Sequence, residues 1–570
     1  MHVTEHFIPG KDASLEASIA TLQSKLDAIG FHIEERSWLN PVEGVWSVHI
    51  RDRDCPLLFT NGKGASELAA RASALGEFFE RLSTNYFWTH FYLGETLAKR
   101  SYVHHPDERW FEPESDAWPQ ALLTPELHAL YNPDGSVRAD QLIDLNSGNA
   151  ERGICAIPYQ RLADGQTVYF PVNLIGNLYV SNGMSAGNTL MEARTQALSE
   201  IFERHIKFRI IEEGLCLPDV PEDVIARYPR IAAGIYGLRK AGFGILVKDA
   251  SLGGKYPVMN VTLLHPKDQG CFASFGAHPR FEVALERALT ELLQGRALES
   301  LEGFPAPGFD QAEIADPQNL EIHFVDSSGV ISWQFLRDTP DFEFVDWNFG
   351  TTTEEDYAWS VDALHAEGHD VYIADFTHLG VYACRILVPG VSEIYPVEEL
   401  EFENNSVGNL IRPALASLPE LTDDECAGLL DLMTELELAD DRLVPVLIGL
   451  APDADSPWTD IRVGEIKLLL ALALGDDEAI LEGCAWIAQY GQRSEARLKV
   501  YRCIADFIQL TDPGPFEPAL ALMYGRETLE QAFALFNQDE RFFGLTTLGD
   551  NFEGSAIHQR LLEAYRKVRG

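Results

Sequence analysis

Along this chain the spacing of apolar side chains switches repeatedly between two periods, the alternation of a strand and the three-and-four step of a helix. Residues 13–29 carry the helical spacing, and VWSVHIRD (45–52) and PLLFTNG (56–62) then alternate, which predicts a helix followed by a strand pair. TVYFPVNLIGNLYVSNG (167–183) is a nearly continuous apolar run and predicts buried strands, while YPVMNVTLLHPKDQGCFASFG (256–276) predicts a hairpin turning at 266–270. DVYIADF (370–376) and GVYACRILVPG (380–390) predict a last strand pair that closes this half near Leu400. From about Gly408 the alternation stops. DDECAGLLDLMTELEL, IRVGEIKLLLALALGD, EAILEGCAWIAQYGQ, EARLKVYRCIADFIQL and AIHQRLLEAYRKV follow one another at helical spacing. The chain is therefore expected to be α+β over 1–407, with the N-terminal segment 1–60 included, and all-α over 408–570. Serial helices of this size predict a tetratricopeptide-like arrangement suited to contact with a partner or a second copy, although no full repeat consensus is present.

One unit recurs inside the first half. NGKGASELAARASALGEFFER (61–81) aligns with MSAGNTLMEARTQALSEIFER (184–204), pairing Gly64 with Gly187, Arg71 with Arg194, Leu75 with Leu198 and Phe79 with Phe202. Ser66 and Thr189 fall at the same place, where each would cap the start of a helix. A more divergent third copy, without a glycine pair, starts near Gly276 and contains ALTELLQ (288–294). The predicted unit is a strand, a glycine loop and a capped helix, and such a loop offers backbone N–H groups to phosphate.

Residues three apart share a helix face, so Glu77/Glu80, Glu200/Glu203 and Glu291/Gln294 each present paired oxygen ligands on one stripe. A single E-x-x-E-R helix is ordinarily a solvated face with an i,i+4 pair such as Glu77 with Arg81. Surface helices, however, have no need of the same acids, arginine and glycines at two distant places. Brought together, five carboxylates would repel one another unless cations neutralised them, and clustered oxygens suit a hard divalent ion. The expected ligand is a magnesium-bridged nucleotide phosphate.

Composition narrows the field. The 44 basic and 88 acidic residues leave a net charge of -44, which opposes direct binding of nucleic acid and makes a nucleotide an awkward ligand without metal. The eight cysteines are scattered with no C-x-x-C, offering no iron–sulfur or zinc framework, and are expected to be reduced core thiols of a cytoplasmic protein. The first residues carry no apolar signal core, and no run is long enough to span a membrane.

Several short strings point elsewhere. GMSAG (183–187) matches the G-x-S-x-G of serine hydrolases, but the helix after it carries Glu192, Arg194, Glu200, Glu203 and Arg204 where a hydrolase helix would be mostly apolar. Ser185 therefore reads better as a hydroxyl beside phosphate. His365 and His369 do not fit H-E-x-x-H, and there is no G-x-x-x-x-G-K-[ST], which excludes a P-loop.

The chain resembles the YcaO family, in particular its stand-alone enterobacterial-type group. The resemblance runs from IPGKDASLEASI through WLNPVEGVWSVHIRD, TNGKGA, EFFERLSTNYF, GNLYVSNGMSAGNT, EIFER and TELLQGR to IYPVEEL, and continues more weakly through the helical part. It implies an ATP and magnesium site in which Glu77, Glu80, Glu200, Glu203 and Glu291 hold the metal. Ser185, Asn188, Glu192, Arg204 and Arg287 would line the nucleotide, with Lys11 and Ser18 completing the pocket. Relatives activate a peptide amide oxygen with ATP, and azoline-forming members end in a proline-rich tail, whereas this chain ends AYRKVRG. The stand-alone group is associated with beta-methylthiolation of an aspartate in ribosomal protein S12, as accessory to a separate radical methylthiotransferase. The resemblance thus implies an ATP-using accessory factor, expected to be a homodimer. Azoline or thioamide formation is the alternative, and a nucleotide-gated scaffold the third reading. No catalytic base is assigned.

Overall fold

The computed structural model describes residues 5–144, 152–397, 407–491, 493–510 and 512–569. The expected closure near Leu400, and the last three residues of the IYPVEEL string, lie outside them.

The first half is built from antiparallel strands and the helices laid on them. Helix Leu15–Ile29 starts at Ser14, whose side chain accepts the Ala17 N–H, and ends at Gly30 in the left-handed conformation. Strands Ile33–Val42, Val45–Asp52 and Phe59–Gly64 form one sheet, and helix Glu67–Ser83 packs back on it. Gly244–Asp249, Val258–Leu264 and Cys271–Ala277 form a second, covered by helix Phe281–Leu292. A six-stranded sheet joins Arg109–Phe111, Ile154–Arg161, Thr167–Pro171, Tyr372–Phe376, Tyr382–Leu387 and Met184–Gly187, and feeds helix Leu190–Glu213.

That 24-residue helix is the centre of the fold. Ala193, Ala197, Leu198, Ile201, Phe202 and Ile206 are buried against Ile373, Cys384 and Ile386 of the six-stranded sheet and against Ala273 and Phe275 of the second. One stripe of the helix thus belongs to the core, leaving another for its acids.

The repeat expected from the sequence is present, but its glycines lie within strands rather than loops. A Cβ on Gly62 would collide with Ala70 and Ala74 of the following helix, one on Gly64 would sit 2.6 Å from the Ala69 Cβ, and one on Gly187 2.7 Å from the Ala193 nitrogen. The glycines let helix and strand backbones close on each other, which corrects the phosphate-loop expectation. The third copy obeys the same rule through Gly276, whose Cβ would lie 2.6 Å from the Ala284 oxygen. Thr60 Oγ1 donates to the Ala74 carbonyl and Ser274 Oγ to that of Ala288, both at 2.8 Å, so the first and third copies share a strand-to-helix latch.

The expected buried strands of 167–183 are only partly strand. After Thr167–Pro171 the chain turns into helix Val172–Leu174 and π-helix Ile175–Tyr179, where Leu174, Ile175, Leu178 and Tyr179 are buried at helical spacing. A continuous apolar run does not distinguish a buried helix from a strand.

From Val407 onward every regular element among the described residues is helical, apart from a single bridge between Leu443 and Arg462. The expected helices appear as Asp423–Glu435, Val463–Leu474, Asp477–Tyr490, Glu495–Leu510 and Ala556–Arg569. The last of these returns to the first half. Leu561, Leu562, Tyr565 and Val568 share a core with Phe78, Phe79 and Trp88, and Trp88 Nε1 donates to the Leu561 carbonyl at 3.1 Å. All eight cysteines are buried free thiols, and no described helix is long and apolar enough to cross a membrane.

Candidate functional site

The three repeat helices and the N-terminal segment wall a cleft of about 780 Å³. All twelve residues singled out in the sequence line it: Lys11 and Ser18 from the N-terminal segment, Glu77 and Glu80 from the first copy, Ser185, Asn188, Glu192, Glu200, Glu203 and Arg204 from the second, and Arg287 and Glu291 from the third.

Ser66 and Thr189 cap their helices as expected, accepting the N–H of Ala69 at 3.2 Å and of Glu192 at 3.1 Å. The third helix has Arg280 at the cap position with no capping bond from its side chain, and Asn348 Oδ1 instead accepts the Phe281 N–H at 3.3 Å. Along the second helix, Glu192, Gln196, Glu200 and Glu203 fall at steps of four, four and three and form one stripe facing the cleft. Eleven residues of α-helix span about 16 Å, room for an extended nucleotide with one end at Glu192 and the other at Glu203.

The Glu192 end is closed by the N-terminal segment. Lys11 Nζ lies 3.2 Å from Glu192 Oε1, Asn188 Nδ2 donates to Glu192 Oε2 at 2.9 Å, and Ser18 Oγ donates to Asn188 Oδ1 at 2.8 Å. Asp12 was not legible in the sequence. It accepts the hydroxyls of Thr189 (2.5 Å) and Thr353 (2.6 Å), while its own N–H donates to Glu192 Oε2 at 2.9 Å.

At the other end the acids stand among basic side chains. Arg81 pairs with Glu77 at 2.6 Å, Arg204 with Glu200, Arg287 with Glu203 at 3.6 Å, and Lys63 with Glu291. The i,i+4 pairs of an ordinary surface helix are thus formed, yet they line a cleft. Arg204 also donates to Asn182 Oδ1 at 3.0 Å and lies over the Phe324 ring. Among the described residues no basic group comes within 4 Å of Glu80. Burial, and then the charges of Glu200 and Glu77, hold its carboxyl well above the usual carboxylate range. Burial and Arg287 lower the Lys63 ammonium to about 8, and burial followed by Glu282 raises Glu286, also on the wall, to about 7.

Among the described residues no three acids, histidines or cysteines are grouped as a ready-made metal site. The donor set nevertheless fits a hard cation: five carboxylates face four basic groups, and among the described residues Glu80 forms no ion pair. Arg287 fits an anion, because its buried Nε has no hydrogen-bond partner. A second cavity of about 440 Å³ shares Arg204 and is otherwise lined by such residues as Asn182, Phe208 and Glu393. Of the twelve residues singled out in the sequence, only Arg204 reaches the smaller cavity.

Ser185 has no nucleophile-elbow geometry. It lies in strand Met184–Gly187 opposite Cys384, is almost wholly buried, and its hydroxyl donates at 3.4 Å to the Ala186 carbonyl rather than to a histidine.

Residues 61–392 match the family model for the YcaO cyclodehydratase, described as ATP- and Mg2+-binding, and residues 408–570 match that for the YcaO cyclodehydratase C-terminal domain. The chain is 51% identical over 577 residues to the ribosomal protein S12 methylthiotransferase accessory factor YcaO of Escherichia coli strain K12, covering 100% of this chain and 98% of that one. It is 48% identical over 574 residues to an uncharacterized protein of Haemophilus influenzae, covering 99% and 98%. Among solved structures, YcaO from Methanopyrus kandleri bound with AMPPCP and Mg2+ is similar with a TM-score of 0.39 and 18% identity, over 66% of this chain and 91% of that one.

Proposed function

This chain belongs to the YcaO family of ATP- and Mg2+-binding proteins, and we propose that it uses ATP in the cleft described above as an accessory factor to the methylthiolation of ribosomal protein S12. The observation that carries the nucleotide reading is the convergence of one repeated helix on one cleft, which puts five carboxylates beside Arg204 and Arg287. The accessory role rests on full-length similarity to a protein named for it.

In this reading Glu77, Glu80, Glu200, Glu203 and Glu291 hold the metal. Lys11, Ser18, Ser185, Asn188, Glu192, Arg204 and Arg287 hold the nucleotide. Bound magnesium would neutralise charge on the transferred phosphoryl group. The chain supplies the rest. Asn182 and Glu200 fix the Arg204 guanidinium, and Glu203 braces Arg287, so both cations are oriented before a phosphate arrives. The N-terminal segment, which closes the Glu192 end of the cleft, would cover the nucleoside. The acceptor would be a protein backbone or side chain presented at the open mouth of the cleft.

The test compares wild type with Glu200→Ala and Glu203→Ala for magnesium-dependent ATP binding and turnover, with nucleotide products separated by chromatography. Loss of metal-dependent binding in both folded variants supports the carboxylate site, and the product ratio separates phosphate from pyrophosphate release. The S12 role is read from the mass of that protein in cells lacking this chain and complemented by each variant. Binding unchanged in both variants returns the acids to a solvated surface.

A further inference from the structure

One charged residue of the cleft is explained neither by the fold nor by the roles given above. Strand Phe59–Gly64 alternates, with Thr60, Gly62 and Gly64 buried beneath helix Glu67–Ser83 and with Asn61 and Lys63 on the cleft wall. Lys63 aligns with Ala186 in the second copy and with Ala277 in the third. The repeat unit therefore folds with a methyl at this position, and the first copy alone carries a long cation there. Its ammonium is paired with Glu291 Oε2, and the other charges acting on it are Arg287, Glu203, Glu77 and Glu200. The side chain is only about a quarter exposed, at 23%.

Such a lysine occupies the place of the cation that Glu291 is proposed to bind. A magnesium ion held by Glu291 would draw on the carboxylate that now faces the Lys63 ammonium, and the two cations would repel across it, so bound metal would weaken the Lys63–Glu291 pair. A Lys63 ammonium freed from Glu291 would stand in the cleft under the charge of Arg287, which repels it and favours an anion between them. Lysine binds phosphate as a point charge and needs no fixed fork geometry.

We propose that Lys63 is a ligand of the terminal phosphates of a nucleoside triphosphate, held on Glu291 until magnesium takes its place. The proposal rests on the nucleotide reading above and adds an exchange to it: Glu291 trades Lys63 for the metal, and Lys63 trades Glu291 for phosphate. No covalent bond changes in the exchange. It makes triphosphate and metal bind cooperatively, because each relieves the charge that the other leaves behind.

The experiment titrates full-length wild type, Lys63→Met and Lys63→Arg by calorimetry with magnesium chloride alone, with AMP, and with a non-hydrolysable ATP analogue plus magnesium. Methionine keeps the apolar stem, so folding is preserved, and melting temperatures check this. Lys63→Met is expected to bind the triphosphate analogue at least ~10-fold more weakly, AMP within ~3-fold of wild type, and magnesium alone more tightly, since a single charge-assisted contact is worth roughly 1.5–3 kcal/mol. Lys63→Arg is expected to retain most of the triphosphate affinity. Equal triphosphate and magnesium affinities in wild type and Lys63→Met overturn the exchange, as does an equal loss for AMP and triphosphate. A wild type that binds no triphosphate at all overturns the nucleotide reading itself, which is a different result from a wild type that binds and a variant that matches it.

Discussion

Glu203 Oε2, on the helix of the second repeat, accepts the backbone N–H of Ala277, on the strand of the third, at 3.2 Å. The bond locks two copies of the unit together through one of the acids that face the cleft, so this residue has both a structural and a functional demand on it. The two separate in Glu203→Gln. Glutamine retains an oxygen for the Ala277 N–H, and its melting temperature is expected within a few degrees of wild type. It removes the charge facing Arg287 and the metal, and magnesium-dependent ATP affinity is expected to fall at least ~10-fold, the worth of one charge-assisted contact. Thermal melting and calorimetry on the same preparation decide it. Equal affinity in the variant would take Glu203 out of the site.

Glycines of the first copy give opposite predictions according to what their Cβ would meet. In Gly62→Ala the methyl collides with Ala70 and Ala74 and pushes the helix bearing Glu77 and Glu80 off its strand. The expected cost is about 2–4 kcal/mol in denaturant unfolding, with loss of nucleotide binding. Gly76 sits mid-helix on the cleft wall with nothing within 4 Å of its Cβ position. Gly76→Ala is expected to stabilise the protein by about 0.5–1 kcal/mol while weakening nucleotide binding, since the methyl enters ligand space. A stabilised variant with full affinity would show that this wall does not touch the ligand.

What the sequence made legible follows from which interactions are local. The acids at steps of three, the caps Ser66 and Thr189 and the helix spacing after Gly408 are local patterns, and the structure keeps them. The glycines were visible as a pattern, but their purpose was not, because close approach to Ala70 or Ala193 exists only after the helix folds back. Val172–Tyr179 reads as strand for a different reason, since an apolar run carries no period to tell a buried helix from a strand. Asp12, Asn182 and Lys63 gave no local signal at all. Their partners lie far away in the chain, at Thr353, Arg204 and Glu291.

Asp12 provides a test of the N-terminal closure. Its carboxylate bridges Thr189 and Thr353, and so ties the segment bearing Lys11 and Ser18 to two helix starts. Asp12→Ala releases the segment without touching the acids at the far end. Steady-state ATP turnover is expected to show KM raised by about 3–10-fold with kcat within about 2-fold, the signature of lost uniform binding. A fall in kcat at unchanged KM would place the segment in the chemical step instead.

Histidines lowered by burial set an acid limit on stability, and His558 and His323 stand among them beside His278 and His378. His558 Nδ1 accepts the Ala451 N–H at 3.1 Å, so Nε2 carries the hydrogen and donates to the Tyr92 carbonyl at 2.9 Å. Burial lowers His558 to about 4, and burial followed by Lys207 lowers His323 to about 4, from an ordinary 6.5. Between 6.5 and about 4 the unfolded chain takes up protons that the folded chain does not, so stability is full above 6.5 and falls as the pH drops through this window. The expected loss is roughly 1–3 kcal/mol per histidine by pH 4. His558→Gln keeps a donor for Tyr92 and is expected to flatten the pH slope of urea midpoints, and an unchanged slope would assign the acid sensitivity elsewhere.

A truncation near Gly408 does not separate a scaffold from an enzyme in this protein, because the last helix packs into the first half. Arg569, almost wholly buried, donates to the Val103 carbonyl at 3.0 Å and to Asn85 Oδ1 at 3.1 Å, and Asn85 lies two residues past the end of the helix carrying Glu77 and Glu80. Removing everything after Gly408 strips this support and the Trp88 contact together, and the shortened protein is expected to lose nucleotide binding along with the helical part. Point substitutions on an exposed face avoid the problem. Leu522 and Met523 are 89% and 67% exposed on helix Glu517–Tyr524. Leu522→Ser/Met523→Ser is expected to leave folding and ATP binding unchanged, so that an altered S12 mass in complemented cells would isolate a contact made by the helical part. In Arg569→Ala, by contrast, melting temperature and ATP affinity are expected to fall together, because removing the guanidinium takes the buried Asn85 Oδ1 from its donor and leaves the Val103 carbonyl only the Tyr565 hydroxyl, at 3.3 Å. An Arg569→Ala protein with wild-type ATP affinity would show that the two halves work independently.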